Sequence, residues 1–142
     1  MLGMKEIMAQ LPHRFGFLMP DRIEEAVEYE RAVGYKNVTA NEFWTDGHFP
    51  GEPVFPGVLM IETMAQIGAF IFPRGQGEGA PSRRYLSGVD KVKFLRLVIP
   101  GDTIRVEAKL VARVGHLAKV ECEARVNGEL AATGVISYAI AP

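Results

Sequence analysis

The sequence predicts an α+β fold in which one buried helix is covered by an antiparallel sheet. Three observations predict it. From Ile104 to Ile140 apolar and polar residues alternate with period two through three successive runs. Asn127-Gly128 separates the last two runs and is the strongest short hairpin signal a sequence offers. The stretch Val58 to Phe72 is apolar almost all round, with Pro56-Gly57 at its front and Pro73 closing it. That is a helix with proline at its start and a proline stop, apolar enough to need cover on every side. The length, 142 residues, fits one domain over residues 1–142 with a core that needs no disulfide or metal.

Each element follows in order. Met1 to Gln10 carries Lys5 and Glu6 and no long apolar run, so it does not read as a signal peptide. Asp21 to Glu30 is ambiguous, because Ile23, Ala26 and Val27 also fit one face of a helix. Arg31 to Thr39 looks like a strand. Asp46 to Gly57 holds three prolines and three glycines and forms a tightly constrained loop before the helix. Pro73 to Ser82, with Gly75, Gly77 and Gly79, reads as a second loop. Lys91 to Val98 is a strand stopped by Pro100-Gly101-Asp102. The three runs at the end are Ile104–Val114, Ala118–Val126 and Leu130–Ile140. Gly115-His116 makes the first turn between them.

Composition excludes several classes. Sixteen basic residues balance seventeen acidic ones, so bulk charge gives no nucleic-acid footprint. The longest apolar stretch contains Glu62, Thr63 and Gln66 and is too short to span a bilayer. No membrane association is expected, and the chain reads as cytoplasmic. Cys122 is the only cysteine and lies on an alternating strand, where it reads as a small buried apolar residue. Three scattered histidines give no metal signature, and neither a phosphate loop nor a serine-nucleophile motif is present. No cofactor is expected.

Glu62 and His48 remain. Glu62 lies about one and a half turns inside the apolar helix, where an unpaired carboxylate is costly to bury. Gln66, four residues on, shares its face. A buried arginine or a subunit contact would explain Glu62 without chemistry; perturbed carboxylates also mark active sites. His48 sits in the proline-glycine loop next to the helix start and is well suited to accept a proton near neutral pH. In a turn it would more often be a hydrogen-bonding structural residue. Together the two point to an acid-base pair. His13 reads as a residue ordering the N-terminal segment, and His116 as solvated.

Three blocks resemble the FabZ-type beta-hydroxyacyl-ACP dehydratases: Leu11-Pro12-His13-Arg14 with Phe17-Leu18 and Asp21-Arg22; Gly47-His48-Phe49-Pro50-Gly51 through Pro56-Gly57-Val58-Leu59 to Ile61-Glu62 and Ala65-Gln66; and Asp90-Lys91-Val92-Lys93-Phe94 with Pro100-Gly101-Asp102. Gly16 and Pro20 depart from the usual pattern of the first block, and the loop after the helix is richer in glycine. The resemblance implies a hot-dog fold, an antiparallel sheet wrapped around a long central helix. It implies a homodimer, or a trimer of dimers, whose sites pair the His of one subunit with the Glu of the other. The substrate implied is a 3-hydroxyacyl chain on acyl carrier protein, dehydrated to the trans-2-enoyl thioester in fatty acid or related acyl-chain synthesis. His48 would take the C2 proton. Glu62, in place of the Asp of the related isomerases, would donate a proton to the leaving hydroxyl or bind the water. The Gly57 N–H would face the thioester oxygen, while Phe49, Gln66 and Tyr85 would line the acyl site. Arg83, Arg84, Lys91, Lys93 and Arg96 would form either a basic dock for the acidic carrier or simply a solvated charged face. A hot-dog acyl thioesterase and a silent acyl-binding subunit are the rival expectations, because a fold does not by itself fix a reaction.

Overall fold

The computed structural model describes residues 1–73 and 83–141. Two helices and six strands follow in order: α1 (Met4–Gln10), β1 (Arg22–Val27), β2 (Arg31–Asn37), α2 (Gly57–Gly68), β3 (Arg83–Phe94), β4 (Thr103–Val114), β5 (Leu117–Val126) and β6 (Glu129–Ala141). A 3-10 turn, Ala69–Ile71, extends α2. The strands form one antiparallel sheet in the order β1-β2-β4-β5-β6-β3. This is the hot-dog arrangement, with α2 packed on one face of the sheet.

The meander matches its alternation. Ile104, Val106 and Ala108 of β4, Val120, Cys122 and Ala124 of β5, and Ala132 and Ile136 of β6 are buried and form one core with Met64, Ile67 and Ile71. Burial pushes the Cys122 thiol up to about 12, which keeps it a neutral packing residue. Asn127 and Gly128 both have positive φ, 51° and 80°, as a tight hairpin turn requires.

Close approach of α2 to the sheet depends on a missing side chain. A Cβ on Gly68 would lie 2.5 Å from the Tyr138 hydroxyl oxygen. That hydroxyl, fully buried, donates to the Ala65 carbonyl. Burial holds the phenol neutral, and its hydrogen bond fixes the depth at which the helix sits.

Several expectations need correction. The ambiguous segment is a strand, and its alternation is disguised because Glu25 shares the inward face with Ile23 and Val27 while Ala26 faces out. The strand placed over Lys91 to Val98 instead runs from Arg83 to Phe94. It is an edge strand exposed on most of its length, and Lys91 at φ 52° breaks its period, so its pattern is weak. Helix α1 carried no strong signal, since Ile7 is its only buried residue. Finally, α2 is not covered on every side. Val58 is 73% exposed, and Ile61 and Glu62 are half-buried beside it. The loop over Pro73 to Ser82 lies outside the described residues beyond Pro73.

Candidate active site

The loop before α2 is anchored from below. Glu42 accepts from Lys36 at 2.8 Å, from the Trp44 indole at 3.1 Å and from the Thr39 N–H at 2.7 Å. Trp44 is buried edge-on against Phe55, with ring centroids 5.5 Å apart. The N–H groups of Gly47 and His48 both reach the Trp44 carbonyl, at 3.1 and 3.0 Å. The turn continues through Phe49 at φ 58° and Gly51 at φ 86°. A bulky residue in the left-handed region is strained, and such strain collects at functional sites.

That turn fixes the imidazole. His48 Nδ1 lies 2.6 Å from the Val54 carbonyl oxygen. A carbonyl only accepts, so Nδ1 carries the hydrogen, and in the neutral ring Nε2 is left as the basic nitrogen. The Phe49 ring, 60% exposed, packs edge-on at 4.5 Å from the imidazole. His48, Phe49 and Gly57 line one cavity of about 220 Å³ with Met60, Phe94 and Leu97. Gly57 is the first residue of α2, where N–H groups lack intrahelical acceptors. Its missing Cβ leaves room for Phe94, whose ring would otherwise be 3.0 Å away.

Glu62 lies elsewhere. It lines a second cavity of about 380 Å³ with His13, Gln66, Ala69, Arg84 and Tyr85. Gln66, buried, donates from Nε2 to Glu62 Oε1 at 2.8 Å and to the Phe17 carbonyl at 2.6 Å, while its Oε1 accepts from the Met19 N–H at 2.9 Å. Its amide therefore positions Glu62 and ties down the Phe17–Met19 segment. His13 Nε2 stands 3.4 Å from Glu62 Oε1, and its other ring nitrogen is buried without a partner among the described residues. Arg14 shapes the turn that delivers His13 by donating to the Leu11 and His13 carbonyls at 2.9 and 2.7 Å. The His13 hydrogen bond, then that of Gln66, holds the Glu62 carboxyl below its ordinary value against the opposing effect of burial. In the single chain Glu62 is thus an anion at neutral pH, although its position in an apolar helix points the other way.

The structure therefore brings together Glu62, Gln66 and Tyr85, and separately His48, Phe49 and Gly57. Among the described residues the two cavities share no lining residue. Sequence reasoning missed His13 as a site residue, because only the fold puts it beside Glu62. The basic group is also divided. Arg83, Lys91 and Lys93 are exposed on β3, but Arg84 turns inward onto backbone carbonyls, and Arg96 is engaged by Glu129 at 3.1 Å and Asp102 at 3.7 Å. Among the described residues no cluster of His, Cys, Asp or Glu could hold a metal ion, and no helix is long and apolar enough to cross a membrane.

Comparison with known proteins places the chain in a family. A family model described as a FabA-like domain matches residues 11–134. In fold, the chain is similar to the dehydratase heterocomplex ApeI:P of Xenorhabdus doucetiae (TM-score 0.78, 16% identity, covering 96% of this chain and 91% of that one). It is also similar to a hypothetical thioesterase with coenzyme A from Streptococcus pneumoniae (TM-score 0.67, 11% identity, 98% and 97%). These define the class, a FabA-like domain on a hot-dog fold; at such identities the structural neighbours speak for the fold alone.

Curated relatives narrow it. A 3-hydroxyacyl-[acyl-carrier-protein] dehydratase FabZ of Desulforamulus reducens is 47% identical over 143 residues, covering 99% of this chain and 98% of that protein. That of Clostridium novyi is 45% identical over 139 residues, covering 98% and 97%. The chain belongs to the FabZ-type dehydratases, and its activity is that of a lyase.

Proposed function

We propose that two copies of this chain pair so that His48 of one faces Glu62 of the other, forming a site that dehydrates 3-hydroxyacyl chains carried on acyl carrier protein. One observation carries this reading: the base and the carboxyl occupy separate cavities, and the surface around them is uncovered and apolar. Val58 at 73%, Leu97 at 69%, Phe49 at 60% and Phe94 at 53% exposure lie around the His48 cavity and the start of α2. Next to them runs β3, with β6 on one side and no strand on the other among the described residues. A long edge strand that exposes Tyr85, Leu86, Val89 and Phe94 calls for a partner, and a two-fold pairing of β3 with itself would supply one. Mass measurement of the assembly distinguishes a dimer from a trimer of dimers.

In the paired site the chemistry divides between fixed roles. The Nε2 of His48, left basic by the Val54 carbonyl, takes the C2 proton. The electron pair of that C–H bond becomes the C2–C3 double bond, and the C3–O bond breaks. Glu62 holds the C3 hydroxyl and gives it a proton, so that water leaves. Because the free carboxyl is anionic, it takes that proton from solvent as substrate enters, when the acyl chain displaces water and raises its pKa; after water leaves, the proton on His48 returns to solvent and both groups are restored. Gln66 keeps the carboxyl in place throughout. The N–H at Gly57 faces the negative charge that develops on the thioester oxygen, a contact of the kind worth about 3 kcal/mol. Phe49 and Tyr85 wall the acyl chain, and exposed Arg83, Lys91 and Lys93 steer the acidic carrier. We place the reaction in fatty acid or related acyl-chain synthesis in the cytoplasm.

The test is hydration of a trans-2-enoyl thioester, followed by loss of its ultraviolet absorbance. The reading predicts turnover that depends on His48 and Glu62. Release of free thiol without hydration would instead identify a thioesterase, and no turnover would identify a silent acyl-binding subunit.

A further inference from the structure

The cavity beside Glu62 has a direction. Its helix wall is formed by Glu62, Ala65, Gln66 and Ala69, one face of α2 and its extension. From Glu62 to Ala69 that wall is about 10 Å long at 1.5 Å rise per residue. The facing wall is β3 from Arg83 to Leu86. At the Ala69 end the Arg84 side chain bridges the two. Arg84 reaches across from β3, donating from Nη1 to the carbonyls of Ala69 at 3.0 Å and Phe72 at 2.9 Å, and from Nη2 to the Gln10 carbonyl. Gln10 ends α1 and Phe72 caps the α2 extension, where carbonyls lack intrahelical partners and a cation matches the helix dipole, while the Ala69 carbonyl also accepts from the Phe72 N–H. A hydrocarbon tail has no acceptor to offer in exchange, so it cannot displace the guanidinium without stranding these groups.

We propose that Arg84 is a specificity-determining residue that closes the far end of the acyl cavity and restricts this enzyme to short and medium chains. The inference rests on the reading that this cavity receives the acyl chain. An extended chain advances roughly 1.25 Å per carbon, for bonds near 1.5 Å at a near-tetrahedral angle, so the wall accommodates roughly eight carbons beyond the reacting centre. The volume agrees. About 380 Å³ is near the low end of the roughly 300–1,000 Å³ usual for small-molecule pockets.

The test uses the full-length enzyme with 3-hydroxyacyl carrier-protein substrates of four, eight, twelve and sixteen carbons. In the wild type, kcat/KM holds to eight carbons and falls at least about tenfold by sixteen, the order expected when methylenes no longer fit. Arg84→Ala raises kcat/KM for the sixteen-carbon substrate relative to the eight-carbon one, a ratio in which any general loss of rate cancels. Ala69→Leu, which narrows the same end with Arg84 in place, moves the cut-off to shorter chains and carries the test if Arg84→Ala does not fold. A wild type that takes sixteen carbons as readily as eight overturns the inference, as do folded variants that keep the wild-type length profile. Absence of dehydration at every length would instead overturn the underlying assignment of the site.

Discussion

The His48 loop and the Glu62 cavity are built in opposite ways. The loop is shaped by its own sequence: prolines and glycines turn the backbone, and Val54, six residues on, selects the imidazole tautomer. The cavity is assembled from four stretches distant in sequence: the Leu11–Arg14 turn, α2, the start of β3 and Tyr138. The difference follows from what each group needs. A base needs one orientation and one free nitrogen, which local backbone can supply. A carboxyl needs a set of neighbours that decides when it holds a proton, and only tertiary packing supplies that.

Removing either centre is the largest break. His48→Ala and Glu62→Gln should each lower kcat/KM by roughly 10²–10⁴, the usual worth of a positioned acid or base. Circular dichroism should show the sheet intact, since neither side chain belongs to the core. Equal rates in both variants and wild type would end the assignment.

The next effect separates the regions by stability. Gly68→Ala forces a methyl against the Tyr138 hydroxyl, and overpacking of this kind costs about 1–3 kcal/mol. Denaturant unfolding measures it, and a neutral result would show that α2 can shift to make room. Tyr138→Phe should cost about 1 kcal/mol by removing one buried hydrogen bond. Both act on the helix that carries Glu62, while the tautomer-setting contact of His48 stays as it is.

His13→Leu gives the smallest and most selective change. His13 is the leading cause of the lowered Glu62 pKa. Its removal therefore raises that pKa. If Glu62 works protonated, activity is lost as pH rises through the Glu62 pKa, so the alkaline limb of the kcat/KM profile moves to higher pH. An unmoved limb would assign that limb to another group.

The contrast also explains what could be read from residues alone. The meander was legible because β4, β5 and β6 bury one face each, so that alternation survives as far as Ala108, Val126 and Tyr138. Edge strands β1 and β3 were not: in β1 a glutamate, Glu25, shares the inward face with Ile23 and Val27 while Ala26 faces out, and in β3 the register shift at Asp90/Lys93 and exposure on both faces erase the period. His48, Phe49 and Gly57 lie close in sequence, and the structure places them on one cavity. His13 stands 49 residues from Glu62, and nothing in Leu-Pro-His-Arg announces the contact. Arg84 reads in sequence like the neighbouring exposed cations, because sequence does not tell an arginine that faces solvent from one that turns onto backbone carbonyls.

The most direct measurement is subunit complementation. His48→Ala and Glu62→Gln proteins are unfolded together, refolded as a mixture and assayed. Half of the resulting pairs are hybrids, each with one site wild-type at both positions, so a two-fold assembly predicts recovery of about one quarter of wild-type activity. If the mixture remains as inactive as the separate variants, while exchange is confirmed by mass, the base and the carboxyl do not meet across a subunit boundary.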